Sequence, residues 1–487
     1  MASATIISVL LVYLAILLAI GGWGARDSGT LAGYYLAGKR LPAWVIAFSS
    51  NATGESGWLL LGLTGMGYVV GVHALWVVLG EVLGVALGWA FVALPFKRRT
   101  DRYGSITVTD YLVSRFDDST NALRFVSTAI ICSMVLAYTA AQFTASGKAF
   151  DAFLGTGYTG GVLIGAAVIF YYTTVGGFKA VAYSDLLQGV LMLGGLFVLP
   201  IVGVAAAGGW TSMVATLRAA DPTLLEPMGA LGWSTAGVIS AASFAGIGLA
   251  FLGVPQLLTR FMAARSEDEI VSGSLLAVFC IIVFDIGAVL TGMAGRALTP
   301  GLADPETILP VMSADLLPAL FTGIFLVIVL AAIMSTADSL LILASSAVVR
   351  DVVQQVFRPD LDDRRLARYG KLTTVIIGLG ALGFALTEAR LIFWFVLFAW
   401  SGLASAFTPV VVCSLFWRGT TRTGAVAGMI AGFLAAVVWV IAFKSRFYDL
   451  YEMWPGFIAG FGVTITVSLF TRSPDCSAND TPGSPSE

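Results

Sequence analysis

Charge is what this chain is short of. Only 11% of its 487 residues are Asp, Glu, Lys or Arg, 58% are hydrophobic, and the formal net charge is −2. A soluble protein of this length needs more charge to cover its surface. Apolar stretches of about twenty residues, each able to cross a hydrocarbon core of about 30 Å, recur along nearly the whole chain. Histidine is scarcer still. The single His73 falls at the outer end of an expected span without a metal or triad partner, which speaks against a membrane-embedded enzyme. The four cysteines, Cys132, Cys280, Cys413 and Cys476, are scattered with no CxxC and no metal spacing, so neither redox nor zinc chemistry is indicated. No basic cluster with interleaved aromatics points to nucleic acid. The N-terminus, MASATIISVLLVYLAILLAIGGWGA, lacks the basic start of a signal peptide and its apolar run is too long, so it reads as a retained span. Glycine, by contrast, is abundant at 55 residues, as in membrane helices that pack closely.

The hydrophobic pattern predicts thirteen helices, near 4–22, 43–71, 73–96, 122–150, 160–176, 180–204, 234–258, 270–295, 312–348, 371–387, 391–416, 423–443 and 453–471. With the N-terminus outside, all but six of the 27 lysines and arginines fall on inward-facing segments. The exceptions are Lys148, Arg218, Arg296, Arg390, Lys444 and Arg446. This bias fits the positive-inside rule and puts the C-terminus in the cytoplasm of a bacterial inner (cell) membrane. The polar, Pro/Ser-rich tail after Thr471 is expected to be disordered.

No lysine or arginine falls in the middle of a span, but Glu55, Glu81, Asp185, Asp285 and Asp338 do. Each would cost about 2.5–3.5 kcal/mol near a helix centre if it faced lipid. The sequence therefore predicts buried carboxylates without a basic partner, neutralised by protons or by an imported cation.

Two spans look broken. In the second, Asn51-Ala52-Thr53-Gly54-Glu55-Ser56-Gly57 is a poor helix former between two apolar halves. In the seventh, Gly246, Gly248, Gly253 and Pro255 weaken the hydrogen-bond ladder. Unwound backbone at membrane depth is tolerated where it lines a cavity or ion site, and breaks in corresponding positions of two halves point to a transporter site. The ninth span adds Ser335, Thr336, Asp338 and Ser339; the spacing brings Ser335, Asp338 and Ser339 onto one face. Hydroxyls, a carboxylate and freed carbonyls form an all-oxygen environment that suits Na+. The plainer alternative is that the hydroxyls only bond carbonyls of their own helix. Gln142, one turn after Tyr138, is a further polar group able to meet a substrate or a neighbouring helix.

At these residues the chain resembles the sodium/solute symporter family, from about residue 8 to 471. The specific blocks are SGWLLLGL (56–63), GGFKAVAYSD (176–185), GVPQLLTRFMA (253–263), AAIMST (331–336), TRTGAVAGMIAG (421–432) and LYEMWPGFI (450–458). The resemblance implies an all-α integral membrane fold of about thirteen transmembrane helices around a five-plus-five inverted-repeat (LeuT-type) core. Residues 1–42 would be an extra N-terminal helix and cytoplasmic loop, 43–204 the first inverted repeat, 205–416 the second, 417–471 two C-terminal helices, and 472–487 a disordered cytoplasmic tail. It also implies a first Na+ held by the carbonyls of Ala52, Glu55 and Ala332 and the hydroxyls of Ser335 and Thr336. Some relatives hold a second Na+, for which the matching residues here are Asp185, Ser335, Asp338 and Ser339. The substrate region would map to Gly57, Trp58, Tyr138, Ile247, Phe251 and Pro255.

Three positions depart from the family's proline carriers. Their aspartate on the second span falls at Gly54, with Glu55 following; an aromatic pair on the seventh is Ile247 and Phe251 here; and an acidic pair before the second span is replaced by Leu31-Ala32-Gly33-Tyr34. The expected function is sodium-coupled symport of a small organic solute, an amino acid such as proline, by alternating access. Glu55 at the break is the expected partner of a substrate amine. A proton-coupled carrier of the same fold, or a membrane sensor module, would share much of the pattern; the short tail speaks against the sensor. Solute, sodium ion and lipid bilayer are the expected partners, with no nucleic acid.

Overall fold

The computed structural model describes residues 4–387 and 392–472; the expected tail and Arg390 lie outside the described residues. Within them the long elements are all helices: α1 (Ala4–Gly24), α2 (Ala43–Gly57), α3 (Thr64–Val70), α4 (Leu75–Leu87), α5 (Leu94–Arg102), α6 (Ala122–Leu154), α7 (Tyr158–Ala206) and α8 (Thr235–Gly246). There follow α9 (Pro255–Met262), α10 (Glu267–Leu298), α11 (Ala319–Ser346), α12 (Asp363–Ala385), α13 (Ile392–Phe416), α14 (Arg422–Val438) and α15 (Met453–Thr471).

Ten described segments are long and apolar enough to cross a membrane by those criteria alone. The thirteen expected spans are all present as helices. The stretch Ala43–Arg102 divides at Gly71, whose φ is +57°. The long α7 divides at Gly177 (φ 62°, ψ −175°), leaving the short apolar helix Tyr158–Tyr171 on its N-terminal side. The thirteenth is α12, whose first turns carry charge. The expected span 312–348 starts instead in a separate helix, Ile308–Leu316. Pro318 ends that helix, because it restricts Leu317 to extended backbone, and α11 begins after it.

The fold centres on α2 and α11. Residues Val45–Gly57 of α2 are buried throughout, packed by α7, α10 and α11. Almost every residue of α11 from Phe325 to Ser346 is buried, so this helix shows no lipid-facing stripe. α1 packs on α7 and α11, while α14 and α15 pair against α13. α4 lies directly on the second break, where Gly80 and Gly84 meet Gly248 backbone to backbone; a methyl group on Gly248 would collide with the Gly80 carbonyl. Only glycine permits that approach.

The two ends of the bundle differ. The arginine-rich end is tied by Lys39 and Lys97 to Asp101 (2.9 and 2.8 Å) and by Arg124 and Arg350 to Asp110 (both 3.0 Å). At the other end a cavity of about 460 Å³ runs inward from Val70, Leu231 and Asp304 to Gly62, Phe244 and Ile247.

Candidate functional site

The first break falls at Ser56, which has φ 57° and ψ −173°. This is a region almost reserved for glycine, and a non-glycine residue there stores about 1–3 kcal/mol. The turn is held by its own polar groups: Trp58 N–H donates to Ser56 Oγ (3.1 Å) and Gly57 N–H to Gln142 Oε1 (3.1 Å). On the α11 side, Ser335 Oγ lies 2.8 Å from the Ala52 carbonyl and 3.0 Å from that of Ala332, and Thr336 Oγ1 lies 3.0 Å from the Thr53 carbonyl. Four of the five atoms expected around a first Na+ thus come from residues in direct contact, or one helical turn away, at the junction of α2 and α11. The Glu55 carbonyl accepts from Trp58 N–H at the same turn.

For Asp185, the expectation that the buried acids have no basic partner is overturned by Arg260. It lies just beyond the expected seventh span, yet its side chain is 1% exposed and runs back into the bundle. Arg260 Nη2 approaches Asp185 Oδ2 (3.2 Å), Thr53 Oγ1 (2.7 Å) and the Ser339 hydroxyl, Nε approaches Ser49 Oγ (3.2 Å), and Nη1 donates to the Gln256 carbonyl (2.7 Å). Ser49 Oγ also reaches Asp185 Oδ2 at 2.6 Å. The guanidinium therefore supplies a positive charge within the group expected to hold a second Na+. Asp338 is on the same helix and lies 3.2 Å from Ser339 Oγ.

The residues expected around the substrate do come together. Phe251 and Tyr138 both meet Trp400 of α13 edge to face, at 5.3 and 6.4 Å between ring centres, and Trp400 Nε1 donates to the Ile247 carbonyl (3.1 Å). Tyr138 also reaches the Ser56 hydroxyl. Gly57 packs against Ile333 and Gln142. Gly54 faces the Phe251 ring so closely that an added Cβ would lie 2.7 Å from it. Pro255 opens α9 at its first position, where a missing N–H costs nothing. The sequence reading missed Trp400, Arg260, Ser49 and the Thr53 hydroxyl.

Glu55 departs from its expected role. Consecutive helical residues point about 100° apart, so while Gly54 faces Phe251, the Glu55 carboxylate turns toward α4 and α10. There it joins Glu81 and Asp285, one oxygen of each lying within 4.8 Å of the others.

Comparison with known proteins agrees with this geometry. The model of the sodium:solute symporter family matches residues 34–432. The chain is 36% identical over 471 residues to the high-affinity proline transporter PutP of Bacillus subtilis (strain 168), covering 95% of this chain and 98% of that protein. It is 33% identical over 479 residues to the sodium/proline symporter of Staphylococcus aureus (strain NCTC 8325 / PS 47), with coverage of 95% and 92%. Among solved structures it is similar to a Na+-coupled sialic acid symporter in a substrate-bound outward-open state, with a TM-score of 0.79, 19% identity and coverage of 96% and 98%. A nucleobase-cation-symport-1 family transporter in a closed conformation gives a TM-score of 0.58 at 14% identity, with coverage of 92% and 97%. At such identities the likeness speaks for the fold, which is the LeuT type. Matched over most of its length, the chain belongs to the sodium:solute symporter family: it is a multi-pass membrane protein that couples sodium to the symport of a small solute, and not an enzyme.

Proposed function

We propose that the solute is a small zwitterion, an amino acid such as proline, carried with one Na+ at the junction of α2 and α11. The carbonyls of Ala52, Glu55 and Ala332 and the hydroxyls of Ser335 and Thr336 hold the ion. The observation that carries this assignment is the Ser335 hydroxyl set between the Ala52 and Ala332 carbonyls. The solute lies beside the break, among Gly54, Gly57, Trp58, Tyr138, Gln142, Ile247, Phe251 and Pro255. Gln142 gives its Oε1 to Gly57 and leaves Nε2 buried with no acceptor among the described residues, ready for a carboxylate. The faces of Phe251 and Trp400 offer an ammonium group a partner that Glu55, turned away, does not.

In this reading residues 43–204 and 205–416 are the inverted repeats, the N-terminus lies outside, and the arginine-rich end faces the cytoplasm, in keeping with the positive-inside rule. The cavity then opens outward, so ion and solute enter past Val70 and Phe244, and the paired inner end must part to release them. One Na+ moving through about 100 mV supplies about 2.3 kcal/mol, enough for about fiftyfold accumulation. Proteoliposomes offered labelled proline, other amino acids, betaine, short carboxylates and sugars, with and without inward Na+, test the proposal. Uptake of an amino acid that persists when choline replaces Na+ at fixed pH would sink the sodium site. Na+-driven uptake confined to sugars would sink the zwitterion.

A further inference from the structure

Glu55 of α2, Glu81 of α4 and Asp285 of α10 are 0%, 2% and 0% exposed, and one oxygen of each lies within 4.8 Å of the others. Both oxygens of Glu55, both of Asp285 and Oε2 of Glu81 receive no hydrogen bond from any described residue. A separate observation points the same way. Asn51 sits one helical turn before Glu55 on α2. Its Nδ2 donates to the Ala277 carbonyl of α10 (2.7 Å), which pins the amide in the seam between the two helices and leaves Oδ1 buried without a donor. Along the α2–α10 seam, Asn51 Oδ1 thus adds a further buried oxygen that no described residue satisfies. Among the described residues no lysine or arginine forms an ion pair with the three acids. Carboxyl oxygens held away from water without donors must be neutralised by bound protons or by a cation. Three oxygens at this spacing leave a centre about 2.8 Å or less from each, near the contact distance of a hard cation larger than Mg2+.

We propose that Glu55, Glu81 and Asp285, with the Asn51 carbonyl oxygen, form a second cation site, separate from Ser335 and Thr336, for a hard ion of sodium or calcium size. It does not depend on the identity of the solute or on the first ion site. It also lies apart from Asp185, where Arg260 already supplies a positive charge. Glu81 rides on the helix that packs against the second break, and Glu55 sits at the first. An ion there ties the first interrupted helix to the helix that packs on the second.

Equilibrium binding of radiolabelled Na+ and, separately, radiolabelled Ca2+ to the purified full-length protein tests this. If sodium is the occupant, the wild type binds about two Na+ per chain and the Glu81→Gln/Asp285→Asn variant about one, with Na+ still raising its Tm through the Ser335 site. If calcium is, the wild type binds Ca2+ and the variant does not, with Na+ binding unchanged. Should that variant fail to fold, Asn51→Ala, which keeps all three charges, is expected to weaken the same ion at least fivefold. Binding of both ions at wild-type stoichiometry and affinity in whichever variant folds overturns the proposal. Ser335→Ala serves as the independent marker, since unchanged Na+ binding there counts against the first site and leaves this one untouched.

Discussion

Arg260 Nη2 lies 3.2 Å from Asp185 Oδ2, with both side chains shut off from solvent. Breaking a buried pair by removing one partner typically costs about 3–5 kcal/mol, because the remaining charge is stranded. Arg260→Gln should therefore lower the stability of the purified protein by about 3 kcal/mol, and Arg260→Gln with Asp185→Asn should recover at least half of that. A double variant no more stable than Arg260→Gln alone would show that the two charges are not coupled.

Ser335→Ala and Thr336→Ala each take one oxygen from the proposed ion site, where both residues are shut off from solvent. Each should raise the Na+ concentration for half-maximal uptake about tenfold or more, equivalent to about 1.4 kcal/mol, while expression holds. Unchanged Na+ dependence in both would refute the assignment.

Gly54→Asp restores the residue that related proline carriers have, yet it should fail in this background. The new side chain meets the Phe251 ring, so uptake should drop at least tenfold. Gly54→Asp with Phe251→Ala removes the clash and should regain part of the loss. Normal uptake by Gly54→Asp alone would mean that the ring swings aside freely.

Gln142→Leu keeps side-chain bulk but removes the buried Nε2 donor proposed to meet the solute. For a carboxylate-bearing solute the KM should rise about tenfold with half-saturating Na+ unchanged, as expected when a charge-assisted hydrogen bond is lost. A parallel shift in Na+ dependence would place Gln142 with the ion instead.

Much of this arrangement was legible in the sequence because the signals are local. The polar run Asn51–Gly57 between apolar halves marks the first break, and the structure puts the bend at Ser56, within that run. Gly246, Gly248, Gly253 and Pro255 mark the second, where the chain passes through a short 3-10 segment and restarts at Pro255. What stayed hidden depends on direction and reach. Arg260 counts as a cytoplasmic residue by position, and only its long side chain, folded back past Gln256, brings its charge to Asp185. Trp400 sits in an aromatic-rich helix where nothing local separates it from ordinary packing. The meeting of Glu55 with Glu81 and Asp285 joins three helices whose rotation about their axes no single-chain pattern fixes.

The contact of Gly80 and Gly84 with Gly248 bears on how the protein moves. Where side chains separate two elements, a small slide can be taken up by a change of rotamer. Here main chain rests on main chain, and no such cushion exists. α4 and the segment Ile247–Leu252 must then travel as a single stiff member, so whatever shifts Ile247 and Phe251 also displaces the helix that bears Glu81.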